Sequence, residues 1–449
     1  MSSLNYIWAI KEPSRETPVF RETDVLVVGG GPAGIGAAIA AARAGARTAL
    51  LERYGHLGGL ATGGMVICIM PMSDGGPELQ ITGICQEIVQ RLDAEGGAVH
   101  PTITHIGSGN QELLNQWRSY PFGVVDDRVR FSVQFDPEKL KCVLNDMIEE
   151  SGVELLLHSL ACQAIVESNS VNGIIFESKS GRQAIKARVV IDCTGDGDIL
   201  ASAGAEYDDA PDPALRSSKL ALIFRLGNID VPTYMNYKTS YPERHAHSMK
   251  ELEQMGGYTM VLRAWRDDVV WVNNFIADRN ALDVGDLTRV EIEARKAMLL
   301  TIRFFKDNIP GFKNAWLMDT ASQIGVRCSR RLKGNYVVTS EDVRSGIIYE
   351  DTIAVCPTFL PEHSPRARHM HIPYRSLVPK DVDSLIVAGR CFSSDSVAND
   401  LLSPIQFCVA MGQAAGAAAA LTVRNGERLS DIEIQRLRAV LLGQGVHLP

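Results

Sequence analysis

The stretch from residue 24 to residue 53, DVLVVGGGPAGIGAAIAAARAGARTALLER, constrains the fold more than any other part of the chain. Asp24 to Val28 is a short run of β-branched and apolar residues, which suits a strand buried on both faces. Gly29, Gly31 and Gly34 follow as G-x-G-x-x-G, with Pro32 and Ala33 inside the motif. The three glycines give a tight turn, a close backbone approach to a pyrophosphate, and close packing of helix on strand. A helix expected from about Pro32 to Ala44 then opens at the phosphates, where its free N–H groups and positive dipole end meet negative charge. Thr48 to Leu51 reads as the returning parallel strand, and Glu52 ends it 18 residues after Gly34. A carboxylate there accepts hydrogen bonds from a ribose diol. Strand, turn, helix and acid together describe a dinucleotide site, but they do not separate NAD from a flavin.

The residues after the acid narrow the choice. Arg53 leads into YGHLGGLATGG (54–64), where Gly58 and Gly59 let the backbone pass close to a large flat ligand. With its later blocks the chain resembles the bacterial FAD-dependent oxidoreductase family with a glutathione-reductase type of FAD domain. Those blocks are VVIDCTGDGDILASAGAEY (189–207), IGVRCSRRLKGNYVVTSEDV (324–343), HIPYRSLVPKDVDSLIVAGRCFSS (371–394) and VAMGQAAGAAAAL (409–421). The resemblance implies FAD held without a covalent bond. It also implies that Ala161 and Cys162 lie by the adenine, and that Thr194, Gly195 and Asp196 lie near the cofactor.

The expected fold class is α/β, a doubly wound Rossmann-like FAD-binding domain with a β-meander, plus a second α+β substrate domain. The FAD domain is expected to be discontinuous, from 20–75, 131–210 and 324–426, with 76–130 and 211–323 as substrate or cap domain and 427–449 as a C-terminal tail. PEKLKCVLNDMIEESG predicts an amphipathic helix with Leu140, Val143, Leu144, Met147 and Ile148 on one stripe, and the strands of a meander follow it. DSLIVAGR (383–390) predicts a buried strand ending at Gly389 and Arg390. A long Ala-rich helix comes next, and Ser403, Pro404 and Gln406 read as a capping box at its start, with Ser403 as the N-cap. In the resembled fold that helix points its N-terminus at the flavin, and family members often carry an arginine where this chain has Ser403.

Composition excludes several partners. With 45 basic and 53 acidic residues the net charge is −8, without the basic excess that nucleic-acid binding needs. Nine scattered cysteines make no C-x-x-C and no metal-site spacing, so no metal is expected. The N-terminal MSSLNYIWAIKEPSRETPVF lacks a signal-type apolar core, which points to the cytoplasm, and FCVAMGQAAGAAAALTV (407–423) fits a buried helix better than a membrane span. A small-molecule substrate is the expected partner, with self-association left open.

Two residues are candidates for the chemistry. Arg327 shares a strand face with Ser329 and could bind an anionic substrate group, or pair with the excess acids. Where the family tends to place an acid after this arginine the chain has Cys328. His371, on one face with His369 and Arg375, could act as a base beside a flavin, or lie on a surface strand. The leading function is hydride transfer between a small organic substrate and flavin N5, by a dehydrogenase or an oxidase. A subunit of an electron-transfer assembly or a non-redox flavin protein is the alternative. A reductase working through a dithiol or NAD(P)H would need a C-x-x-C or a second G-x-G-x-x-G after a strand, and neither is present.

Overall fold

A computed structural model describes residues 10–359 and 368–449, so the first nine residues, part of the stretch read for localisation, lie outside it. Five parallel strands stand in the order Glu154–Leu156, Thr48–Leu51, Val19–Val28, Gly181–Asp192 and Leu385–Val387. The Gly181–Asp192 strand is long enough to serve twice. Its C-terminal end pairs with Leu385–Val387, while its N-terminal half continues antiparallel through Ser170–Ser178 to Leu160–Glu167 as the expected meander.

Both faces of the parallel sheet are covered, which is why its strands read as unbroken apolar runs. Val25, Val27, Leu50 and Ile191 point to one layer, and Leu26, Val28, Leu51 and Val190 to the other. The first layer holds the Pro32–Arg43 helix against the Ile405–Asn425 helix, backbone to backbone. A Cβ on Gly412 would stand 1.9 Å from the Ala33 carbonyl oxygen, and one on Gly416 2.1 Å from that of Ala37. The Ile405–Asn425 helix is long and apolar enough by composition to cross a membrane, yet 89% of its most apolar window is buried inside this fold.

Two segments sit elsewhere than their expected boundaries suggest. Within 76–130, the Ile84–Ala94 helix packs Ile84, Ile88, Val89 and Leu92 into the same core as the nucleotide unit, and its first N–H donates to Gln413 Oε1. Within 427–449, the Ile434–Gly443 helix buries Leu437 and Leu441, and Gln444 Nε2 donates to the Ala40 carbonyl at 3.1 Å. That end of the chain is packed, not a free tail.

The second domain is an antiparallel sheet in the order Met260–Arg263, Val269–Asn273, Phe224–Gly227 and Trp316–Thr320. Phe224, Leu226, Val270 and Val272 face a helical layer that includes Met298 and Phe305 of the Val284–Asn308 helix. Strand alternation then turns Trp271 and Asn273 the other way, toward the parallel-sheet domain.

Candidate functional site

A cavity of about 600 Å³ lies between the two domains, at the carboxyl ends of the parallel strands. Gly29, Gly31, Pro32 and Ala33 form one end of its wall. Gly34 does not line it. A Cβ there would fall 1.8 Å from the Gly29 carbonyl oxygen, so this glycine is required by the tightness of the turn itself. Gly59 lines the cavity where its loop crosses the turn, whereas Gly58 sits behind it, its N–H donating to the Gly30 carbonyl at 2.8 Å.

Glu52 borders the same end, 6% exposed. Its two oxygens accept from the Gly30 N–H at 2.6 Å and the Tyr54 N–H at 2.8 Å, which fixes the carboxylate while leaving lone pairs for a diol. Arg53 stands beside it at the rim, over the Tyr54 ring at 4.9 Å. Ala161 lines the cavity; Cys162, one strand position on, is exposed and does not, because successive side chains alternate faces.

The TGDGD turn supplies the next wall with Thr194, Gly195 and Asp196. Behind it lies Asp192, which the sequence reading missed. It is fully buried and accepts from Thr194 N and Oγ1 and from the N–H groups of Ile199 and Leu200 at 2.7–3.0 Å. Burial pushes its carboxyl up to about 6, against the pull of those donors. Asp196 accepts from Arg390 at 2.6 Å and Ser329 at 2.7 Å; burial opposes its charge, but these partners hold the carboxyl below its ordinary value. Gly389 and Arg390 border the cavity, and Arg390 Nε is buried without a hydrogen-bond partner.

The capping box at Ser403 does not form. A short helix, Ser396–Leu402 capped by Asp395, precedes it, and Ser403 closes that helix with its N–H on the Asn399 carbonyl. Pro404 is the N-cap of Ile405–Asn425, with its carbonyl accepting from Phe407 and Cys408. Gln406 points away from the cavity and is buried, its nearest acceptor the Pro71 carbonyl at 3.5 Å. Because no side chain caps the helix, the Ile405 and Gln406 N–H groups have no partner among the described residues. Ser403, Pro404 and Ile405 line the cavity, so the positive end of the helix faces into it.

The far end is built by the second domain and carries no motif. Met260, Leu262, Trp271 and Asn273 come from two neighbouring strands, and Arg216 and Arg327 complete the wall. Period-two alternation in the WRDDVVWVNNF stretch could have pointed to Trp271 and Asn273; Met260, Leu262 and Arg216 carry no such signal. Arg327 lines the cavity, and burial pushes its guanidinium down to about 9. His371 does not reach it. It sits in the His369–Pro373 strand, paired with Thr352–Pro357, where it is 7% exposed and Nδ1 has no partner. The residues read as one polar face part company: His369 meets Asp74 at 3.1 Å, whereas Arg375 pairs with Asp351. Burial pushes the His371 imidazole down to about 4.

A family model described as FAD dependent oxidoreductase matches residues 24–441. Among solved structures the chain is similar to the flavin-dependent brominase Bmp2, at 13% identity over 94% of this chain and 84% of that one, with a TM-score of 0.49. It is similar to a geranylgeranyl bacteriochlorophyll reductase-like protein from Thermoplasma acidophilum at 14% identity over 94% and 84%, with a TM-score of 0.47. It is also similar to the p-nitrophenol 4-monooxygenase PnpA from Pseudomonas putida DLL-E4 at 12% identity over 96% and 90%, with a TM-score of 0.45.

Proposed function

The chain belongs to the family of FAD dependent oxidoreductases, with FAD as its cofactor, and from that premise we propose that it moves a hydride between a small organic substrate and flavin N5. The observation that carries the reading is one cavity bordered at one end by the pyrophosphate turn, along its length by the start of the Ile405–Asn425 helix, and at the other end by the second domain's sheet. The residues present fit FAD. Gly31 has nothing nearer than the Gly59 Cα at 3.9 Å from where its Cβ would be, so a phosphate can approach the turn. Glu52 keeps acceptor capacity for a ribose, and Arg390 Nε and the Ile405 and Gln406 N–H groups are donors in want of acceptors.

FAD when bound supplies a two-electron acceptor. The protein's part is to orient it and to set its potential. The helix start contributes about half a positive charge toward the cavity, which favours negative charge on whatever ring edge lies against it. Trp271, Leu262 and Met260 keep water from the substrate end. The meander and the C-terminal helix support placing the FAD domain in the glutathione-reductase type. With no second dinucleotide fingerprint in the chain, the substrate itself or a diffusing partner is the other redox party. The test is an anaerobic screen of alcohols, amines, sugars and organic acids for bleaching of the bound flavin without NAD(P)H. Bleaching by one class supports the reading. A flavin that only NAD(P)H can bleach overturns it.

A further inference from the structure

We infer that the substrate end selects a monoanionic carboxylate carried on an apolar body, with Arg327 as its anchor; this deepens the oxidoreductase reading and rests on it. The Arg327 guanidinium stacks on the Phe275 ring at 4.5 Å. Its Nη1 donates to the Lys219 carbonyl at 3.0 Å, and its Nη2 to Asn273 Oδ1 at 3.1 Å and the Asn274 carbonyl at 3.2 Å. All three acceptors are neutral, and among the described residues no carboxylate comes within ion-pairing distance. Buried arginines elsewhere are matched differently: Arg225 meets Asp319, Arg331 meets Asp208 and Arg390 meets Asp196. Arg130 also lacks an acid, but it donates to the Ser73 and Thr358 carbonyls away from the cavity. Arg327 is a half-buried cation of the cavity wall with no ion-pair partner among the described residues, the nearest acid acting on it being Asp400, already paired with Arg216.

Charge and donor count set the class of anion. Arg216, beside it in the wall, is neutralised by Asp400 at 3.3 Å, so this end carries one uncompensated positive charge. A guanidinium has five N–H groups; three are used, and the two left, on Nε and Nη1, lie on different edges, so each offers a single charge-assisted bond to an anion's oxygen. A phosphate dianion brings a second negative charge to an end that offers one uncompensated positive charge. Met260, Leu262, Trp271 and Phe122 line the rest of this end, which suits an aromatic or aliphatic body.

The test is isothermal titration calorimetry of the FAD-loaded protein with phenylacetate, 3-phenylpropionate, hexanoate and octanoate, their neutral amides, and phenyl phosphate. The acids are expected to bind at least about tenfold more tightly than their amides. Arg327→Gln removes that preference while keeping amide affinity, and Arg327→Lys restores part of it. Amides binding as tightly as acids, phenyl phosphate binding most tightly, or a preference that survives in Arg327→Gln overturns the inference. If Arg327→Gln does not fold, the acid and amide series on the unaltered protein decides alone. Because the readout is equilibrium binding, acids that bind without bleaching the flavin count against hydride transfer and not against the anchor. A neutral compound that bleaches it where acids fail to bind does the reverse.

Discussion

Replacing Glu52 by Gln separates a structural from a cofactor-binding role in one side chain. Both carboxylate oxygens accept a backbone N–H, from Gly30 at 2.6 Å and Tyr54 at 2.8 Å, in a position only 6% exposed. The amide keeps one oxygen, and its NH2 group then faces a second donor. One buried N–H is left unsatisfied, at a cost of about 1–3 kcal/mol to the fold. Loss of the negative charge also removes a charge-assisted bond to the ribose, about 1.5–3 kcal/mol, or roughly 10- to 150-fold in FAD affinity. The two parts are measured apart. Urea unfolding of the FAD-free protein reads the first, and quenching of FAD fluorescence on titration reads the second. Unchanged stability of the FAD-free variant would refute the bonds to the glycine turn. Unchanged FAD affinity would refute the contact with the cofactor.

Other outcomes follow from the same geometry. Gly412→Leu drives a side chain into the Ala33 carbonyl, whose oxygen lies 1.9 Å from the position of the first added carbon, and is expected to separate the two helices and abolish soluble, FAD-loaded protein; normal yield and yellow colour would contradict the packing. His371 is held neutral with its native value near 4, while the unfolded imidazole titrates near about 6.5. Between those values the unfolded chain binds a proton that the native chain does not, so stability falls as pH drops, by about 2 kcal/mol from pH 7 to pH 5. His371→Phe is expected to remove that part of the slope in urea unfolding at the two pH values. Ser403→Arg puts a fixed cation beside the unpartnered helix start and is expected to raise the flavin midpoint by roughly tens of millivolts in potentiometric titration. An unchanged midpoint with FAD still bound would place the helix start away from the ring.

How much of this was legible in the sequence depends on how local each signal is. The glycine turn, its helix and Glu52 are set by interactions within thirty residues, and the structure places them where the spacing implied. The Leu140 to Ile148 stripe is equally local, since helical periodicity alone decides which face is buried. Ser403 failed for the opposite reason. Its capping signature was genuine as a pattern, but Asp395 starts an earlier short helix that consumes Ser403 as its end. His371 failed because strand alternation says which residues share a face and not what they meet: His369 meets Asp74, 295 residues before it, while His371 Nδ1 is buried without a partner. Alternation marks Trp271 as a strand residue but not what it faces, and Arg216 has no local signature; the wall exists only where two domains close on one cavity.

The measurement that tests the central claim most directly is single-turnover reduction of the bound flavin under anaerobic conditions, with a substrate from the screen and the same compound deuterated at the reacting carbon. Direct hydride transfer into the cavity predicts that the flavin bleaches without NAD(P)H and that deuteration slows it. Bleaching that needs NAD(P)H, or that proceeds at the same rate with the deuterated compound, would contradict it.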